Sequence, residues 1–105
     1  MQEHLLMLVQ VLRDNGEIRY ASVIESVISE RESARDAFLV STQLWGGSGS
    51  IADQAGLVNG RRTDRTRKIQ HALIQLGQEQ IRVGKINVRT KMWVEVFKKW
   101  EDAGI

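Results

Sequence analysis

The stretch Arg65-Thr66-Arg67-Lys68-Ile69-Gln70-His71-Ala72-Leu73-Ile74-Gln75-Leu76-Gly77-Gln78-Glu79-Gln80 decides the fold. Ile69, Ala72, Leu73, Leu76, Gly77 and Gln80, with Gly84 beyond them, share one face at three- and four-residue spacing, which is the period of an α-helix. Thr63 or Asp64 supplies the cap, so a long helix starts near Arg65. Glycine inside a helix costs about 1 kcal/mol relative to alanine. Gly77 and Gly84 on a buried face therefore predict another helix crossing there closely; the alternative for Gly84 is that it ends the helix.

Downstream, Met92, Trp93, Val96, Phe97 and Trp100 predict an aromatic-rich helix that stops at Gly104, with Lys98, Lys99 and Glu101 opposite. Upstream, Leu5, Leu8, Val9 and Leu12 predict a helix over 3–14, ended by Asn15-Gly16. Tyr20, Ala21, Ile24, Val27 and Ile28 predict a second over 17–30. Ser33-Ala34-Arg35-Asp36 has the capping-box pattern and opens a third, whose face Ala34, Ala37, Phe38, Ser41, Leu44 and Trp45 runs to Gly46-Gly47. Ser50-Ile51-Ala52-Asp53 repeats that pattern and predicts a one-turn helix from Ile51 to about Ala55, and Asn59-Gly60 marks a further turn. The expected fold is all-α: a single compact helical bundle over residues 1–105, of about five helices, with a Gly/Ser-rich turn and a one-turn helix in mid-chain.

Composition agrees with this reading. In 105 residues there is one domain's worth of chain, 42% of it hydrophobic and 27% charged, which is enough apolar material for a core and too little net charge for disorder. The absence of proline favours uninterrupted helices, and the absence of cysteine excludes disulfides and thiolate metal sites. The apolar run Leu5-Leu6-Met7-Leu8-Val9 follows Glu3 and His4 rather than lysines and lacks a small-residue cleavage site, so it does not read as a signal peptide. No stretch reaches the ~18–20 apolar residues of a membrane span. A cytoplasmic protein without membrane contact is expected.

The motifs raise three chemical readings. The turn Gly46-Gly47-Ser48-Gly49-Ser50 lacks the lysine and Ser/Thr of a phosphate loop, has Ala52 where the dinucleotide fingerprint needs glycine, and has Ser50 where a nucleophile elbow needs glycine. It is read as a structural turn, with Gly46, Gly47, Gly49, Ser50 and Asp53 as its motif residues. His4 and His71 have no ligand partner at helical metal-site spacing, so neither metal nor cofactor is expected. Ser48 or Ser50 with His71 and Asp53 makes a triad only on paper, because a triad is a geometry and not a composition. No catalytic residue is assigned. The tryptophans have the chemistry of interface anchors, but Trp93 and Trp100 share a face with Val96 and Phe97, where core packing accounts for them.

Charge is distributed unevenly. Residues 1–60 carry four basic and eight acidic side chains and residues 61–105 eleven and five, so halves of −4 and +6 make up the net +2. Arg61, Arg62, Arg65, Arg67 and Lys68 surround the start of the long helix, where cations oppose the macrodipole. Such a cluster reads as a solvated face, as half of an internal pairing with the acidic first half, as a contact for an acidic protein, or as a nucleic-acid face. The acidic counterpart is Glu25, Glu30, Glu32 and Asp36.

Around the turn, Leu44-Trp45-Gly46-Gly47-Ser48-Gly49-Ser50-Ile51-Ala52-Asp53 resembles a family of small helical bacterial proteins that carry a mid-chain Gly-Gly-x-Gly-Ser-x-x-Asp motif between helical segments. Members of that family look like immunity proteins, encoded beside secreted or contact-dependent toxins and protecting the producing cell by binding the toxin. The resemblance implies a non-enzymatic protein whose partner is a cognate toxin. Ser50 and Asp53 carry over as structural residues. Immunity proteins against nucleases are commonly acidic, whereas this chain is net positive, which points away from a nuclease target. Glu25, Glu30, Glu32 and Asp36 are the first candidates for partner contact, since they suit a basic toxin, and Arg61, Arg62, Arg65 and Arg67 are the alternative basic face. A small basic nucleic-acid-binding or regulatory protein is the other functional reading, without a helix-turn-helix pattern to support it.

Overall fold

Leu5, Leu8, Val9 and Leu12, spaced to share one helical face, are all buried on α1 (Gln2–Asp14). Gly16 adopts φ +83°, a left-handed geometry that side chains resist, and turns the chain into α2 (Ile18–Ile28). In this computed structural model, which describes residues 1–105, α3 (Glu32–Leu39), the one-turn α4 (Ile51–Gln54), α5 (Asp64–Val83) and α6 (Thr90–Asp102) follow, and the fold is an all-α helical bundle. None of the helices is long and apolar enough to cross a membrane.

The long helix α5 packs against both α1 and α6, while α2 packs against α1 and α3 adjoins α2. Its buried face carries Ile69, Ala72, Leu73, Leu76, Gly77 and Gln80 as the periodicity requires, widened by Ile74 and Gln70. The two glycines play different parts. A methyl group at Gly77 would overlap the Val94 side chain and lie 3.1 Å from the Trp45 ring, so this glycine marks the close crossing of α6. Gly84 faces open space at φ +78° and terminates the helix. Trp45 is sealed in the core, its ring centroid 6.4 Å from that of Phe97, which in turn lies 5.3 Å from Trp93 and 5.9 Å from Trp100.

Three local expectations are corrected. The capping box at Ser33 does not form: the helix begins at Glu32, and Ser33 sits in its first turn. Arg35 explains the earlier start, because its Nη1 donates to the carbonyls of Ile28 and Glu30 and so satisfies the open end of α2. The third helix also ends at Leu39 instead of reaching Trp45. Side chains from the second half of the chain bind the carbonyl oxygens at and beyond that end and hold the segment in turns, Gln80 Nε2 binding Leu39 O and Asn87 Nδ2 binding Val40 O and Ser41 O. On α6 the apolar stripe is shifted: Met92 is 45% exposed, and Val94, 4% exposed, packs in its stead.

Candidate functional site

The glycine turn closes on itself. Gly46 admits no side chain, because a Cβ would collide with the Thr42 carbonyl. Ser50 Oγ accepts from Asp53 N at 3.2 Å, which caps α4 as its sequence predicts. The returning bond falls one residue earlier than in the usual box, with Gly49 N donating to Asp53 Oδ2 at 3.1 Å. The amides that a phosphate would need are already engaged: Ser50 N with Gly47 O, Ile51 N with Gln43 O and Ala52 N with Leu44 O. Two further side chains fasten the turn from outside, as Trp93 Nε1 donates to Gly46 O at 2.9 Å and Asn87 Nδ2 to Trp45 O at 2.8 Å. Gly46, Gly47, Gly49, Ser50 and Asp53 thus lie in one internally bonded loop.

His71 is bonded through Nδ1 to Glu101 Oε2 at 2.8 Å and through Nε2 to the Gln75 amide at 3.1 Å. No hydrogen bond links it to Ser48, Ser50 or Asp53. No group of three acidic or histidine side chains converges in a form that would hold a metal ion.

The acidic residues lie along α2, α3 and the turn between them. Glu25 is ion-paired with Arg13 on α1, and Asp36 accepts from Lys85 Nζ at 2.8 Å. That hydrogen bond raises the Lys85 pKa against a smaller opposing effect of burial. Glu30 and Glu32 are exposed and make no ion pair. Lys85–Asp36 is the one ion pair that joins the acidic first half to the basic second half; the rest form within a half.

The basic residues converge where α5 begins and α6 ends. The turn that delivers them is tight: Val58 and Arg61 exchange both backbone hydrogen bonds, and Asn59 and Gly60 take φ +52° and +73° between them. Thr66 Oγ1 accepts from Thr63 N at 2.9 Å and donates to Gly56 O at 2.8 Å, so the start of α5 is fixed against the segment preceding it. Arg61, Arg65 and Lys68 are exposed without an ion pair, while Arg67 pairs with Asp64 within the first turn of α5. Arg62 behaves differently. Its guanidinium carbon stands 4.5 Å over the Trp100 ring, and its Nη2 donates to Gln70 Oε1 at 2.6 Å. Its Nε and Nη1 are shielded from solvent and have no acceptor. Burial, with Arg67 adding to it, lowers the Arg62 pKa.

Arg62 forms a wall shared by two cavities. One, of about 110 Å³, is lined also by Arg67, Gln70, Phe97, Glu101 and Ile105. The other, of about 240 Å³, is bounded by Trp93, Phe97 and Trp100 and by the loop through Leu57 and Gly60. The sequence marks the basic cluster but carries no sign of the Arg62–Trp100 pairing, which is set by the antiparallel crossing of α5 and α6. Comparison with protein-family models, with curated proteins and with solved structures returns no match.

Proposed function

We propose that the protein is a non-enzymatic binding protein, an immunity protein that neutralises a cognate bacterial toxin in the cytoplasm of the producing cell by occluding it. The observation that carries the reading is the uncompensated basic end, where Arg61, Arg65 and Lys68 stand exposed and unpaired on a rigid helical frame. Unpaired charge on a fixed scaffold steers an oppositely charged protein and fixes its register, and about 800 Å² per partner is the surface a stable complex of this kind requires. Of the acidic candidates only Glu30 and Glu32 stand free, since Glu25 and Asp36 have partners within the fold, and we assign the contact to the basic face, where Arg61, Arg65 and Lys68 are unpaired; the toxin surface that meets it is then acidic.

Co-expression tests this directly. The product of an adjacent gene should be toxic alone, harmless beside this chain and recovered with it as a stable complex; absence of both rescue and complex would refute the assignment. The same unpaired cations favour one other reading, a nucleic-acid-binding protein. Sub-micromolar, sequence-selective binding of DNA or RNA at physiological salt, weakened by replacing Arg61, Arg62, Arg65 and Arg67, would establish it instead.

A further inference from the structure

We infer that the cleft beside Arg62 is a carboxylate-binding socket, into which the partner inserts an aspartate or glutamate side chain. The inference rests on the binding reading above and names the point at which the partner is held. Three observations carry it. The first is the unmet donor capacity of Arg62: a guanidinium has five N–H donors, and here Nη2 alone has a protein acceptor while Nε and Nη1 are withdrawn from water. A buried donor without an acceptor is costly, so an anion that reaches this edge recovers a free energy the free protein forgoes.

The second is preorganisation. Trp100 beneath the guanidinium and Gln70 at Nη2 hold the group in one plane, so little rotamer freedom is lost on binding. Arginine and tryptophan are also the residue types most enriched where binding energy concentrates. The third is the size and charge of the cleft. About 110 Å³ of water-accessible space beside the guanidinium accommodates a carboxylate and its methylene. Glu101 also lines the cleft, its carboxylate bonded to His71, and it opposes a multiply charged anion more strongly than a single carboxylate. Ile105, 52% exposed, also lines the cleft and leaves it open to solvent on that side. Arg61 and Arg65, exposed nearby, attract the acidic surface that presents the carboxylate.

The probe is an octaglutamate peptide, with octathymidylate as the phosphate counterpart. Binding is followed by calorimetry and by the arginine Nε–H resonances in a proton–nitrogen correlation spectrum, where the Arg62 signal is the one missing in R62K. Octaglutamate should shift that signal, and R62K should weaken binding by roughly tenfold, because lysine keeps the charge but not the planar fork. The double variant R61A/R65A should retain the Arg62 shift while losing much of the salt dependence. Equal affinity of R62K and wild type, an unmoved Arg62 signal, or tighter binding of octathymidylate would each overturn the socket. An amide spectrum of R62K unchanged away from α5 and α6 shows that the variant is folded. The two proposals fail separately: a toxin complex that survives R62K removes the socket and leaves the immunity reading, whereas octaglutamate bound at Arg62 with no toxin neutralised does the reverse.

Discussion

The indole Nε1–H of Trp45 donates to Gln80 Oε1 over 2.8 Å, and both side chains are sealed from solvent. The amide nitrogen of the same glutamine donates to Leu39 O and Lys85 O, at 2.8 Å in each case. One polar side chain on the apolar face of α5 therefore joins the end of α3, the tryptophan before the glycine turn and the loop into α6. A buried polar group is tolerated in a core when its bonding is complete, and this one has every partner it needs.

Replacing Gln80 with leucine keeps the volume and removes the bonds. The indole N–H and two carbonyls are then left without partners, and the expected loss is about 2–4 kcal/mol, read from the shift of the urea midpoint at constant slope. A loss below about 1 kcal/mol would show that the network is not what holds the 40–45 segment.

The two glycines of α5 separate cleanly by substitution. Gly77→Ala gains helix propensity, about 1 kcal/mol. It also forces a methyl group into Val94 and against Trp45, so a net loss of about 1–3 kcal/mol is expected. Gly84→Ala meets nothing within 4 Å but must hold φ +78°, and its loss of about 1 kcal/mol is one of backbone strain alone. Thermal denaturation of the pair checks this, and a stabilised Gly77→Ala would mean that α6 does not cross there.

The distinction between those glycines also shows how much of the fold was legible. Periodicity located five of the helices, because each buries a stripe that recurs every three or four residues, and Ser50 declared the one-turn helix after it because capping is a contact three residues long. The extent of α3 was not legible. Ser33 has the right local pattern, yet Arg35 draws the helix start back to Glu32, and Gln80 and Asn87 take the carbonyls at its end. Contacts made 40 or more residues away leave no mark on a local pattern. Of the binding candidates, the clustering of Arg61, Arg62, Arg65 and Arg67 was visible as charge. That Arg62 alone turns inward over Trp100, while Arg67 folds onto Asp64, depends on the packing of α5 against α6.

At Ser50 the capping bond to Asp53 N is local, and the serine is buried, so Ser50→Ala should cost about 1 kcal/mol in chemical denaturation. Partner binding by the folded variant should be unchanged, since the Ser50 hydroxyl is buried and engaged within the loop. Unaltered stability with collapsed binding would instead make the glycine turn a contact site.

Alkaline pH should destabilise the fold through two identifiable groups. Tyr20 is the only tyrosine, and burial, followed by the charge of Glu17, raises its pKa above the ordinary value of about 10, with Arg19 opposing and Asp53 adding to the rise. An acid whose pKa is raised by folding is protonated preferentially in the native state. Its contribution is therefore complete below the unfolded value and is lost as pH climbs through the folded one. Lys85, raised by its bond to Asp36, obeys the same sign, because the native state retains a proton that the unfolded chain releases earlier. Glu79 runs the other way: its bond to Arg82 lowers its pKa, so its contribution is present above the ordinary carboxylate range and disappears as pH falls. Absorbance at 295 nm reports the phenolate of the single tyrosine directly and should show a midpoint above 10 in the folded protein. Asp36→Asn should flatten the alkaline decline in urea stability without moving the Tyr20 midpoint, since the two groups act through different partners. A tyrosine that titrates at or below the ordinary value while the helical signal persists would contradict the partial burial of Tyr20 beside Glu17.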